Sequence, residues 1–287
     1  MKRISAAFAA FIPPLDPVLP DFACIDTLIR EVAASEILPR FRKLAAADMH
    51  EKVPGQLVTI ADTEAEKRLT IALEAALPGS VVVGEEGVSA DPARLDAITG
   101  DRPVWFVDPV DGTQNFADGS PVFATMVALR IGGQSVASWI YDPVGDRMAS
   151  AVQGAGAWLN GKRLHVATAR PIDEMTGRMP SLVAKTLGTR VGSTFHLHCA
   201  GHEYIRLASG SGHFALFYGL YPWDHAPGEL LFREAGGFIA RLDGSPYMPE
   251  DKETGLLAAP DTASWDAVHA LLHEHFPQMP PKKVRQG

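Results

Sequence analysis

The segment Trp105-Phe106-Val107-Asp108-Pro109-Val110-Asp111-Gly112-Thr113 holds the densest chemistry in the chain. An apolar run delivers Asp108, and Pro109 has no N–H with which to continue a strand ladder. Asp111 then stands three residues on, in an expected turn, so both carboxylates can face one point. Two carboxylates held close repel each other unless a cation lies between them. Gly112 and Thr113 follow with backbone N–H groups suited to phosphate oxygens. Taken alone, the pattern also describes a solvated Asx turn. A second acidic group, Gly84-Glu85-Glu86-Gly87, comes straight after Val81-Val82-Val83. A carboxylate at a strand end between glycines is placed for a metal, although a charged loop has the same composition. A third, Trp223-Asp224-His225-Ala226-Pro227-Gly228, runs on to Glu234-Ala235-Gly236-Gly237. Asp224 stands where a helix is expected to start, as a metal ligand or simply as an N-cap. Pro227 is tolerated in a first turn, and the glycine pair supplies the stop.

The elements that must position these groups follow from periodicity. Ile25, Leu28, Ile29 and Val32 recur at helical spacing from about Asp21, with Ile37 and Phe41 extending the face and Pro39 ending or kinking it. Residues 45–54 are mixed and polar and read as a mobile loop, with Lys52 in it read as solvated. Leu57-Val58-Thr59-Ile60 is β-prone. Thr63 and Glu66 have capping-box spacing for a helix to about Leu77, stopped by Pro78-Gly79. Strands are expected at 81–83, 104–107, 122–131, 135–141 and 147–152, the last three as an antiparallel meander split by Gly132-Gly133 and Gly145-Asp146. Further on, strands are expected at 181–185, 213–218, 238–241 and 256–259, and helices at 201–208, 225–235 and 262–275. Helices around two mostly antiparallel sheets make an α+β layered sandwich.

The 287 residues are 46% hydrophobic and 21% charged, a globular composition that excludes a disordered or low-complexity chain. Lys plus Arg number 26 against 34 acids, a net charge of −8. That argues against a nucleic-acid binder and against a polybasic membrane dock. An acidic protein handling an anionic substrate needs metal cations to mediate. Two cysteines with no C-x-x-C fit a reducing, cytoplasmic setting. No apolar run is long enough to span a membrane. Lys2-Arg3 followed by residues 4–12 has the outline of a signal peptide, but Pro13-Pro14 breaks it and no clean cleavage site follows. The expected organisation is an N-terminal arm (1–20), an N-terminal α+β subdomain with the acidic motifs (21–145), a C-terminal α/β subdomain (146–276) and a tail (277–287).

Four motifs in order, Leu57-Val58-Thr59-x-x-Asp62, Gly84-Glu85-Glu86, Asp108-Pro-x-Asp111-Gly112-Thr113 and Trp223-Asp224-x-Ala-x-Gly228 with Glu234-Ala235-Gly236-Gly237, resemble the inositol monophosphatase family. These are lithium-sensitive, magnesium-dependent phosphomonoesterases, and the match runs from about Asp21 to His275. The resemblance implies the family's αβαβα sandwich, two or three Mg²⁺ ions, a small-molecule phosphomonoester as substrate and a homodimer. It implies Glu85, Asp108 and Asp111 as metal-binding carboxylates, the Val110 carbonyl as a further ligand, and Asp224 for a second metal. Asp62 and Thr113 match the pair that positions the nucleophilic water, with Glu85 the third catalytic position. Gly112 and Thr113 match the phosphate-cradling turn, with Asp224 also against the substrate. Some bacterial members act on the transcription machinery apart from catalysis, which leaves a regulatory binding protein as the alternative.

The chain departs from the family where inositol-hydrolysing members carry a sugar-binding glutamate. That position is Phe217, whose ring cannot accept hydroxyl hydrogen bonds. A less hydroxylated or aromatic leaving group is expected, such as histidinol phosphate or a nucleotide, with Phe217 as a substrate contact; 3′-nucleotidase and fructose-1,6-bisphosphatase activities stay open. His196, His198, Cys199 and His202 are read as a polar pocket or surface rather than a zinc site, although His198 and His202 have i, i+4 spacing.

Overall fold

A computed structural model describes residues 19–53, 56–250 and 255–278. Most of the expected 1–20 arm and 277–287 tail, including the segment with signal-peptide outline, lies outside the described residues.

Asp21 caps the first helix, α1 (Phe22–Val32), accepting from the N–H groups of Ala23 and Cys24. Ile25, Ile29 and Val32 form its buried stripe. A π-helical turn, Ala33–Ile37, follows before Pro39. Part of the segment expected as loop is a strand: β1 (Met49–Val53) pairs antiparallel with β2 (Gln56–Thr59). Helix α2 (Ile60–Ala76) starts one turn earlier than Thr63 and Glu66 suggest. Thr59 and Asp62 have the same box spacing: the Thr59 hydroxyl accepts from the Ala61 N–H, and Asp62 Oδ2 accepts from the Thr59 N–H at 2.9 Å.

Strand β3 (Val81–Gly84) runs straight into α3 (Glu85–Ala90), where a charged loop is the other expectation. Then come β4 (Val104–Asp111), α4 (Thr113–Ala117), β5 (Ala124–Ile131), β6 (Gln134–Asp142), β7 (Arg147–Val152), β8 (Gly156–Leu159) and β9 (Lys162–Arg163). With β3 these strands form one seven-stranded sheet in chain order, antiparallel except for β3–β4. The boundary expected between 145 and 146 falls on the β6–β7 hairpin, inside this sheet.

The second half holds β10 (Thr176–Arg178), α5 (Ser181–Leu187), β11 (Ser193–Phe195), α6 (Ala200–Ala208), β12 (Phe214–Phe217), α7 (Pro222–Glu234), β13 (Phe238–Arg241), β14 (Leu256–Ala259) and α8 (Thr262–His275). Its five-stranded sheet has the order β11-β10-β12-β14-β13. Residues 181–185, expected as a strand, are helical, because Val183 and Leu187 are buried one turn apart. Helix α7 begins at Pro222 rather than at His225, since proline suits the first helical position.

Alternation along the strands sorts the layers. On β4, Trp105 and Val107 face α1 and α2, while Val104 and Phe106 face α6 and α7. On β12, Ala215 and Phe217 face the same α6/α7 layer from the other side, while Phe214 and Leu216 pack toward α5 and α8. The result is an αβαβα sandwich. The central helices cross in contact at Gly228, where a Cβ would lie 2.0 Å from the Tyr204 ring.

Candidate active site

In a regular strand, residues three apart point to opposite faces. Asp108 pairs with Met126 and Asp111 with Ala124, so three steps on β4 oppose two on β5. The extra residue is a bulge that reverses the parity and lets both carboxylates face one cleft. The strand thus continues through Pro109 to Asp111, where a turn was expected. Thr125 donates to the Pro109 carbonyl at 2.9 Å, and the Val110 N–H donates to Asp108 Oδ1 at 3.0 Å. Gly112 then takes a left-handed conformation, φ +87, which a Cβ would strain.

The cleft is about 400 Å³ and is lined by Glu85, Asp108, Val110, Asp111, Gly112, Thr113 and Asp224, together with His198, Tyr221 and Trp223. Asp108 and Asp224 are close enough for each charge to act on the other. Burial, then the charges of Glu85, Asp111 and Asp224, push Asp108 well above the usual carboxylate range. Burial, then Glu85 and Asp111, do the same to Asp224. Burial also raises Asp111, against hydrogen bonds from Cys199, Gly201 and Ala200 that favour its charge.

Glu85 opens α3, whose first turn is held from outside. Glu66, on α2, accepts from the Glu86 N–H at 2.7 Å and the Gly87 N–H at 2.6 Å. Gly84 makes room, since a Cβ there would meet the Glu66 carboxylate at 2.4 Å. Sequence reasoning placed Glu66 in a capping box and missed this role. The available signals were the glycine on each side of Glu85-Glu86 and the place of Glu66 itself, one helical turn beyond Asp62. Lys52 is not solvated as expected: its ammonium meets Glu85 at 2.9 Å and Glu86 at 2.5 Å, and its side chain is 10% exposed. Burial alone would lower its pKa, but the two glutamates raise it.

Asp62 is wholly buried and is pushed up to about 7, by burial first and then by the charges of Glu86 and Glu85, against hydrogen bonds from Thr59. The Thr113 hydroxyl lies 3.1 Å from Asp62 Oδ1 and 3.0 Å from the Val110 carbonyl, and its single proton can serve either. The structure therefore brings together every expected site residue but one.

The exception is Phe217. It is 2% exposed, stacks on Tyr204 at 4.8 Å, and lies under the Arg178 guanidinium. It does not line the cleft, because strand alternation turns it into the α6/α7 layer, so the expected direct substrate contact is corrected to a core residue. The aromatic surface at the mouth is Tyr221 stacked on Trp223, 5.3 Å apart and nearly parallel. The histidine group also divides. Helix α6 starts only at Ala200, so His198, at φ +56, is off the helix and the i, i+4 pair is broken. His196 contacts Arg178, His202 contacts the Phe123 carbonyl, and Cys199 donates to Asp111.

The donor set, four carboxylates and a carbonyl, is all oxygen, which suits a hard cation such as Mg²⁺. Held this close, the four repel one another unless a cation or a proton lies between them, and Lys52 answers part of that demand. Among the described residues no three acidic, histidine or cysteine side chains already stand together as a metal-holding group.

A sequence model of the inositol monophosphatase family matches residues 21–279. The chain is 30% identical over 267 residues to a Nus factor SuhB of Pseudomonas aeruginosa, covering 85% of this chain and 93% of that protein. It is 35% identical over 211 residues to an inositol-1-monophosphatase of Mesorhizobium japonicum, covering 69% and 76%. Among solved structures, an IMPase of Thermotoga maritima superposes with TM-score 0.76 at 23% identity, over 88% of this chain and 96% of that one.

Proposed function

The chain belongs to the inositol monophosphatase family, and from that premise we propose that it is a Mg²⁺-dependent phosphomonoester hydrolase of a small soluble metabolite. The observation that carries the reading is the β4 bulge, which turns Asp108 and Asp111 toward Glu85 and Asp224 in one cleft. Glu85, Asp108, Asp111, Asp224 and the Val110 carbonyl would hold two or three Mg²⁺. When bound, these ions supply neutralisation of phosphate charge and an acidified water. The protein's own part is positioning. Thr113, tethered to Asp62 or to the Val110 carbonyl, presents its hydroxyl oxygen to the attacking water. Asp62, poised near neutrality, takes up the proton through Thr113. The Gly112 and Thr113 N–H groups receive phosphate oxygens, and Asp224 faces the leaving oxygen.

The leaving group meets Tyr221, Trp223 and His198. A planar or lightly hydroxylated alcohol fits that wall better than a cyclitol. The test is orthophosphate release, with Mg²⁺ and with EDTA, from inositol 1-phosphate, histidinol phosphate, fructose 1,6-bisphosphate and a 3′,5′-nucleoside bisphosphate. Mg²⁺-dependent turnover of one member supports the reaction class and names the alcohol. Inositol 1-phosphate as the fastest substrate sinks the leaving-group reading.

A second reading rests on the name of the Pseudomonas relative: a regulatory binding protein on this fold. The net charge of −8 favours a protein partner over RNA. Salt-sensitive co-purification with RNA polymerase, together with silence across the substrate panel, supports it. A cytoplasmic homodimer is the working assembly, checked by fractionation and by light scattering. Among the described residues no helix is long and apolar enough to cross a membrane.

A further inference from the structure

We propose that Cys199 and the first N–H groups of α6 fix Asp111 as a one-point ligand, leaving it a single acceptor position, on Oδ1, for a cation. The inference rests on the magnesium reading above. A carboxylate offers about four lone-pair positions. Asp111 Oδ2 accepts from the Cys199 thiol at 2.9 Å and from the Gly201 N–H at 2.6 Å, which fills it. Oδ1 accepts from the Ala200 N–H at 3.1 Å and keeps one position.

The arrangement is tight rather than incidental. The first N–H groups of a helix have no partner within it, and here a carboxylate from β4 serves them. Gly201 allows the approach: a Cβ there would meet Ala124 Cβ at 2.8 Å, Ile140 Cγ2 at 2.9 Å and Asp111 Oδ2 at 3.2 Å. On the other side, a Cβ on Gly112 would lie 3.2 Å from both Cys199 Cβ and the His198 carbonyl. The start of α6 is therefore pressed against the Asp111–Gly112 backbone, and the Cys199 thiol, 2% exposed, is aimed at the carboxylate. The thiol is the one side-chain donor of the three, so it is the contact that substitution can remove. Groups behind metal ligands set ligand orientation, and their loss commonly weakens metal binding about 10- to 100-fold. Cys199 is thus a positioning residue acting through Asp111.

The test is calorimetric titration of Mg²⁺ alone into the metal-free, full-length protein, with no substrate. Cys199→Ser, which keeps a donor, is expected to stay within about twofold of wild type, and Cys199→Val, apolar and of similar size, to bind about tenfold more weakly. Cys199→Ala goes through the same titration and is expected to follow valine; circular dichroism in EDTA confirms that each variant is folded. A packing role alone predicts the reverse order, with valine like wild type and serine the weaker, and that order overturns the proposal. Equal affinities in all four proteins also overturn it. Wild type taking up no Mg²⁺ overturns the magnesium reading itself, and this inference with it.

Discussion

On the carboxylate side of the cleft, the functional groups are held by more than the element that carries them. Asp111 leaves β4 and is received by the start of α6. Asp62 lies in the first turn of α2, is tied back to Thr59, and faces Thr113 from α4. Glu85 rides on a turn that Glu66 grips from α2. The aromatic and imidazole lining is built otherwise. Tyr221 is 37% exposed, and His198 stands exposed in a left-handed conformation outside any helix or strand. Phe217 is locked in the core. One side is preorganised, as charge stabilisation in a transition state requires. In the other, Tyr221 and His198 are exposed and free to vary, whereas Trp223 is packed in the core.

The sharpest way to break this comparison is to remove charge from the rigid side. Asp108→Asn and Asp111→Asn are expected to lower turnover about a thousandfold or more while far-UV circular dichroism stays native. Wild-type rates of phosphomonoester hydrolysis in either variant sink the metal assignment. Thr113→Ala is expected to cost about a hundredfold in kcat. Because Thr113 and Asp62 act through one contact, Asp62→Asn added to it should cost little more. Fully multiplicative losses would show that the two do not act as a pair.

The exposed side should respond in KM and substrate choice rather than in chemistry. Tyr221→Ala is expected to lower kcat/KM about fivefold to tenfold for an aromatic phosphomonoester, as loss of one stacking contact does. A small aliphatic ester should be untouched, and an equal loss for both would place Tyr221 with the catalytic groups. Phe217→Ala should act on stability alone, by about 3–5 kcal/mol in urea unfolding, as a truncated core aromatic does. Unchanged stability with altered substrate preference would return Phe217 to the cleft wall.

The last contrast concerns acid. Burial, then Arg178, hold His225 down to about 3, and its ring faces the Tyr204 hydroxyl at 2.9 Å. Below about pH 6.5 the unfolded chain takes up a proton that folded His225 refuses, so its contribution to stability falls as pH drops toward 3. His225→Phe should show a shallower loss over that window in melting temperature against pH. An identical slope would assign the acid sensitivity elsewhere.

Four spaced motifs were enough to read the family and the layered fold from sequence, because Asp108, Asp111, Glu85 and Asp224 sit at fixed offsets from strand ends and helix starts. The helix at 262–275 and the strands at 238–241 and 256–259 were also legible, since period and stop signals are local properties of the chain. Tertiary structure decided the rest. Residues 181–185 read as a strand, and their packing through Val183 and Leu187 makes them a helix. Lys52, Glu66 and Cys199 looked ordinary because each acts on a residue far along the chain, and no spacing encodes such a contact. Phe217 shows the same limit most clearly. Its position by alignment points to the substrate, but the alternation of β12 against the α6/α7 layer turns its ring into the core. Sequence fixes which chemical groups are available at which offsets; the fold fixes which of them meet, because long-range packing sets the direction of every side chain.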